Sequence, residues 1–446
     1  MLSDAFYSAL ARSILAGDAS VDSIAARMTR TLGRNWRWIK LLARRYVAQF
    51  GSQVHPRRRD VVVFLKTDQG LRNAEHRAQR QLKIAQWIQE PNRMRPAEAA
   101  RTWPVPKIET IGELADWLEI SAAELEWFAD LRRMCTRPRN AQVEGPMGHY
   151  HYRVLAKQGS GIRLIESPKP RLKELQRHIL AGILEAVPIQ NAVHGFVKGR
   201  SIKTFAAPHV GRRIVLRIDL KDFFAIISGS RVQAFFRTAG YPEAVADRLG
   251  GICSNAAPRA LWNALGKGLD TLAMADARAM YSWQHLPQGA PTSPMLANLC
   301  FYRADCRLSG LAEAAGATYT RYADDLAFSG DAQFERSVER FGARAAAIVT
   351  EEGFIVHHRK TRVMRRGVRQ YLAGIVVNER VNIVRSDFDG LKAILTNCVR
   401  HGPESQNREG HPAFRSHLDG RIGFVESVNP AKGARLRAIF NRIQWP

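Results

Sequence analysis

The sequence is poor in cysteine and short of acidic residues. Its five cysteines (Cys135, Cys253, Cys300, Cys306 and Cys398) form no CxxC pair and no zinc-ligand spacing. That excludes a disulfide scaffold or a zinc module, and the expectation is five buried thiols in a reducing cytoplasm. No apolar run reaches the roughly 18 residues a membrane-spanning helix needs, so no membrane association is expected. The opening stretch MLSDAFYSALARSILAGD lacks the apolar core of a signal peptide, and its acidic residues argue against a transit peptide. No tandem repeat is visible. Aspartate and glutamate total 41 against 67 lysines and arginines, a formal net charge of +26. Such an excess repels itself unless a polyanion neutralises it, and nucleic acid is the usual one. An inert basic surface is the bland alternative, and charge alone does not separate an enzyme from a packaging protein.

With 446 residues, 46% of them apolar, the chain has material for two or three domains. Residues 1–100 read as a basic helical domain, with 18 basic and 8 acidic residues. In SIAARMTRTLGRNWRWIKLLARRYVAQF, apolar and aromatic residues fall at helical spacing with arginines between them. HPRRRD (55–60) reads as a loop and RTWPVPK (101–107) as a proline-marked linker. The stretch 101–147 is expected to hold that linker and a helical hairpin over 111–131, with Ser121 capping its second helix and Glu124 three residues on. A helix-turn-helix reading is weaker, because the outward positions are mainly acidic. From residue 148 the period drops to two. GHYHYRVLAKQGSGIRLIESP predicts a β-hairpin that turns at Gly-Ser-Gly and carries Lys157 and Arg163. Beyond it the pattern predicts helices over 170–187, near 230–239, after Ser293 and over 332–352. It predicts strands in RRIVLRIDLKDFF and ATYTRYADDLAFSG, a short hairpin in VRQYLAGIVVNERVNIV, and helices to the end.

Two sets of carboxylates stand out. Asp324 and Asp325 lie side by side at the expected tip of a hairpin, where like charges repel unless solvent or a cation intervenes. Asp219 sits in a strand among Val215, Leu216, Ile218 and Leu220, a costly place for an unpaired charge. An ion pair to Arg217 or Arg321 is the plain alternative. A β-α-β-β unit would bring the Asp219 strand beside the 319–328 hairpin and gather all three carboxylates at one edge. Three such charges call for hard cations, and Mg²⁺ takes carboxylates together with phosphates and water. Two Mg²⁺ ions about 4 Å apart are the arrangement that serves phosphoryl transfer.

In this order, RIDLKDFF, LPQGAPTSP, YADD and the lysine of HHRKT resemble motifs A to D of reverse transcriptases. The resemblance covers residues 148–446 and implies an α+β, right-hand polymerase fold: fingers, a palm with a ferredoxin-like sheet, and a helical thumb. Fingers and palm would span 148–374 and an RNA-binding thumb region 375–446, after an all-helical extension. It implies catalytic, metal-binding roles for Asp219, Asp324 and Asp325. Phe224, next to Phe223, matches the aromatic that excludes a ribose 2′-OH, and Gln288 the residue that lies against the incoming dNTP. Lys157 and Arg163 resemble the fingers cations that grip the triphosphate, and Lys360 the lysine near the pyrophosphate.

NAVHGFVKGRSI further resembles the Asn-Ala-x-x-His motif of retron reverse transcriptases, with Asn191, Ala192 and His194 in register for RNA recognition. That kinship implies a dedicated noncoding RNA as template and 2′-OH primer, a branched DNA product, antiphage defence and an effector protein such as a toxin. Three features depart from the family pattern: Leu372-Ala373-Gly374 in place of Val-Thr-Gly, Phe-Ala-Ile-Ile at 224–227, and a long segment between residues 255 and 286. A non-retron defence reverse transcriptase and a catalytically silent RNA-binding scaffold are the alternatives.

Overall fold

The computed structural model describes residues 2–51, 56–78, 81–88, 93–134, 148–157, 161–265 and 270–445. The chain divides into two compact units. One comprises residues 1–154, 168–187 and 229–274; the other 155–167, 188–228 and 275–446.

The first unit is helical at its start, as the periodicity predicts. Helices Asp4–Leu15, Val21–Leu32, Arg37–Phe50 and Arg58–Thr67 bury Leu10, Ile24, Met28, Ile39, Leu42 and Leu65 in one core. Each fully buried aliphatic side chain contributes about 1.5–3 kcal/mol. The helix after Pro56 starts at Arg58, so the last three residues of HPRRRD are helical and not loop. The helical hairpin forms as Ile111–Trp117 and Ala122–Ala129, and Ser121 with Glu124 makes the expected capping box. Its acidic residues Glu113, Asp116, Glu119 and Glu124 are exposed, Glu126 pairs with Arg248 at 2.5 Å, and on the buried side Gly251 lies so close to Ala129 that a Cβ there would meet its carbonyl at 2.2 Å.

In the second unit the strands are β1 (Tyr150–Ala156, whose last two residues belong here), β2 (Ile162–Pro168), β3 (Ile214–Asp219), β4 (Thr318–Tyr322), β5 (Asp325–Gly330) and β6 (Arg362–Arg365). At the predicted hairpin the Lys157 amide donates to the Gly161 carbonyl, 2.9 Å; the Gly-Ser-Gly turn falls mostly outside the described residues. The strands β3 to β6 form an antiparallel sheet in the order β4-β5-β3-β6. Counted within that sheet the order is 2-3-1-4, the ferredoxin-like topology. Helices Ser293–Ala314 and Ala332–Glu351 supply its α components. Then β7 (Tyr371–Leu372), β8 (Ile375–Val376) and β9 (Asn382–Ile383) pair into a small sheet, one strand more than the predicted hairpin. Helices Arg385–His401, Phe414–Val428 and Pro430–Phe440 close a core around Leu391, Leu395, Leu418, Ile422 and Leu436.

Among the described residues no helix is long and apolar enough to cross a membrane. Cys253, Cys300 and Cys398 are buried thiols, but Cys306 is exposed. It lies on the solvent side of helix Ser293–Ala314, one residue past the buried Asp305. Cys135 lies outside the described residues.

Candidate active site

Register places the carboxylates. In the β3–β5 ladder Asp219 stands directly opposite Asp325, and residues paired across an antiparallel ladder point to the same face. Asp324 occupies the turn between β4 and β5, after Ala323, whose φ of 54° lets the chain reverse. Its carbonyl accepts the Leu220 amide at 2.9 Å, fixing the turn to the end of β3. The Asp219 carbonyl accepts the His357 amide at 2.7 Å, and three residues on, Lys360 brings Nζ to 3.3 Å from Asp219 Oδ1. Despite that proximity Oδ1 is buried and accepts no hydrogen bond.

The three aspartates do not share one environment. Burial, and then the Asp219 charge, pushes the Asp324 carboxyl above the ordinary range, against the pull of Lys360 and Arg163. Burial pushes Asp325 up to about 6, although Arg217 opposes it. Arg217 grips both Asp325 oxygens, Nη2 to Oδ2 at 2.8 Å, and lies 5.7 Å from the Tyr371 ring. The sequence offered Arg217 or Arg321 as partners for Asp219. The structure gives Arg217 to Asp325, and Arg321 to Asp305 in the core at 2.7 Å. Among the described residues no three acidic, histidine or cysteine side chains already converge as a metal cage. With both Asp325 oxygens on Arg217, the third carboxylate is otherwise engaged. The orphaned Asp219 oxygen and the Asp324 carboxylate offer all-oxygen donors that fit a hard divalent cation, and Asp325 would join them by exchanging Arg217 for the metal.

Around them lie the other expected residues. Arg163 is exposed on β2 and close enough to act on Asp324. Lys157 is instead ion-paired to Asp222, which has a φ of 52° in the turn after β3. Phe223 is buried against Phe301 and Phe354, whereas Phe224 is half-buried, its ring 6.2 Å from Phe196. The Gln288 carbonyl accepts the Glu166 amide at 2.9 Å. Gly289, at φ 133°, would put a Cβ 2.9 Å from the Glu166 carbonyl, so the motif B loop needs glycine to pack on β2. Asn191, Ala192 and His194 run beside β4: the Arg321 amide donates to the Ala192 carbonyl and the His194 amide to the Arg321 carbonyl, both at 2.7 Å. The His194 ring meets Thr204 Oγ1 at 2.9 Å, and burial with Arg200 nearby lowers its pKa to about 4. Asn191 is exposed.

Sequence reasoning missed three features here. Phe196 is an exposed phenylalanine in the left-handed region (φ 61°), flanked by Phe224 and Tyr322, and only its place in HGF hinted at it. Glu166 and His285 form a buried pair at 2.8 Å behind the Gln288 loop. Arg321, fully buried, bonds Asp305, Asn298 Oδ1 and the Ala323 carbonyl, so the aspartate turn rests on a core arginine. Ala323 aside, the partners of these buried groups lie far apart in sequence and carry no local pattern.

A family profile described as reverse transcriptase (RNA-dependent DNA polymerase) matches residues 155–376. The retron Mx65 reverse transcriptase of Myxococcus xanthus is 42% identical over 76% of this chain and 73% of its own length. The retron Mx162 reverse transcriptase of the same organism is 35% identical over 78% and 70%. The retron Ec86 reverse transcriptase of Escherichia coli is 29% identical over 66% and 82%. Among solved structures, a foamy viral protease-reverse transcriptase in complex with double-stranded DNA aligns over 90% of this chain and 60% of its own, at 14% identity and a TM-score of 0.31, too distant to add to the assignment. Polymerases of this family generally depend on divalent metal. With the motif order on one ferredoxin-like sheet and relatives at this level of identity, the chain belongs to the bacterial retron-type reverse transcriptases, RNA-directed DNA polymerases of right-hand fold.

Proposed function

We propose that Asp219, Asp324 and Asp325 hold two Mg²⁺ ions, and that the enzyme uses a dedicated structured noncoding RNA as both template and 2′-OH primer to make branched single-stranded DNA. The register that sets Asp219 against Asp325, with one buried Asp219 oxygen unsatisfied, carries this reading. When bound, the two cations supply charge stabilisation at the attacking and leaving oxygens. The chain's own residues do the rest. Arg163 and Lys360 offer positive charge to the triphosphate of a dNTP, and Lys157 joins them by exchanging Asp222 for phosphate. Gln288 lies against the nucleotide, and Phe224, backed by buried Phe223, leaves no volume for a 2′-OH. The fingers and palm reach to residue 374 and the thumb follows. Antiphage defence with an effector protein, in the cytoplasm, is the setting that retron kinship supports.

The experiment concerns the RNA. Asn191 and His194, beside the aspartate turn, would recognise bases or 2′-hydroxyls of the folded RNA. Asn191→Ala with His194→Ala is expected to stop self-primed synthesis on the cognate RNA while extension of an annealed DNA primer on a generic RNA template persists. Equal loss of both activities would make the segment a structural support of β4 and remove it from RNA recognition.

A further inference from the structure

The N-terminal helices hold the chain's most one-sided charge. Residues 23–59 contain ten lysines and arginines and no aspartate or glutamate. Half of these have work inside the unit. Arg27 is buried and donates to the carbonyls of Ser13, Ile14 and Asp18. Lys40 pairs with Asp22, Arg45 with Asp68 and Arg59 with Asp60, while Arg57 donates to the Ser230 carbonyl. Of the other five, Arg30, Arg34 and Arg37 follow one another closely along the chain: all are exposed, and among the described residues no carboxylate lies within ion-pair distance of them.

These three arginines cluster where helix Val21–Leu32 ends. Gly33, at φ 67°, caps the helix, and the chain re-enters a helix at Arg37. The Arg34 guanidinium stacks over the Trp36 ring at 4.8 Å. A segment from later in the chain docks on the same helix end: the Ala85 and Gln86 amides donate to the Thr31 carbonyl at 2.8 and 3.2 Å, and Ala85 packs on Gly33. Leu82 anchors that segment in the core, while Lys83 is exposed and Trp87, two residues past Ala85, leaves 53% of its surface in solvent. A merely solvated basic face needs no exposed indole. Unpaired arginines interleaved with aromatic rings are what a flexible polyanion with accessible bases requires: cations for its phosphates and rings for its bases.

We propose that Arg30, Arg34, Arg37 and Lys83, with Trp36 and Trp87, form a binding site for single-stranded nucleic acid. The chemistry is shared by an unpaired stretch of RNA and by a released DNA strand. This site goes beyond the polymerase chemistry and does not depend on the retron RNA reading.

The test uses the full-length protein and fluorescent oligo(U) and oligo(dT) of about 15 nucleotides, near the upper site size of one binding fold. Trp87→Ala is expected to weaken binding about tenfold, as the loss of one stacked base implies, with recovery in Trp87→Phe. Charge reversal at Arg30, Arg34 and Arg37 is expected to flatten the salt dependence of log affinity by about 2, at roughly 0.7 per phosphate contact on single strands. Primer extension on a pre-annealed template stays within twofold of wild type in every variant. Preferential loss of oligo(U) binding names RNA as the occupant, and preferential loss of oligo(dT) binding names the DNA strand. Wild-type affinity and salt slope for both oligonucleotides, in variants with unchanged thermal midpoints, would overturn the proposal. So would a loss of primer extension in proportion to binding.

Discussion

Two ends of one sheet treat charge in opposite ways. Toward its interior, Arg321 on β4 is fully buried, yet both Asp305 oxygens, Asn298 and the Ala323 carbonyl satisfy it, and Tyr319 donates to the same aspartate at 2.7 Å. His209 is likewise sealed between Ser329 and Thr320, at 2.6 and 2.7 Å. At the edge, a few residues away, Asp219 keeps an oxygen that accepts no hydrogen bond, with only Lys360 at ion-pair distance, and Asp324 and Asp325 are held above their ordinary proton affinity. A buried network that is fully satisfied supports structure. A cluster of carboxylates left short of partners stores unfavourable energy that a ligand can relieve, and such clusters mark functional sites.

Breaking the interior should cost the most. Arg321→Met strands Asp305 in the core, and removing one member of a buried pair costs about 3–5 kcal/mol; urea unfolding measures it. Arg217→Met, at the edge, should cost less, about 1–3 kcal/mol. Asp325 is already poised near pH 6 and can shed its charge by taking up a proton. Equal losses in the two variants would erase the distinction between interior and edge.

The difference also has a pH signature. Burial lowers the His209 pKa to about 3, so the folded chain refuses a proton that the unfolded chain accepts near the ordinary value of 6.5. Its stabilisation is therefore complete above pH 6.5 and drains away as pH falls toward 3. His209→Gln, which cannot ionise, should lose less stability than wild type between pH 7 and 5. Asp325 shifts stability the opposite way over this range, but it is common to both proteins and cancels in the difference. Identical pH slopes would mean that His209 takes no part in the acid response.

Phe224→Ala should move stability least, because the ring is only half-buried against Phe196 and Phe223. Its effect is on selectivity: more ribonucleotide incorporation with RNA affinity unchanged. Unaltered dNTP preference in a folded variant would make Phe224 an ordinary packing residue.

What the sequence made legible follows the same division. The three aspartates, Gln288 and Lys360 stand out in the sequence because each sits at a fixed place in a short motif, and the alternation around the aspartates predicted β3, β4 and β5. The supports were not legible. Arg321 and Asp305 are sixteen residues apart, one on a strand and one on a helix, and Glu166 and His285 are further still, so only the folded chain introduces them. Arg217 was, with Arg321, the alternative ion-pair partner offered for Asp219, two positions along its own strand, whereas the ladder hands it the carboxylate diagonally opposite. Cys306 was expected inside, but a helix shows one face to solvent whatever its composition, and position 306 falls on that face.

The edge itself is tested most directly with Asp219→Asn, following primer extension and the thermal midpoint together, with and without Mg²⁺. DNA synthesis should fall to background, while the metal-free variant melts at or above wild type, because a repelling charge has gone and little buried area with it. Mg²⁺ should raise the wild-type midpoint and leave that of the variant in place. A variant that extends primers at the wild-type rate, or that Mg²⁺ stabilises as much as wild type, would contradict the assignment of this carboxylate edge as the metal-dependent catalytic site.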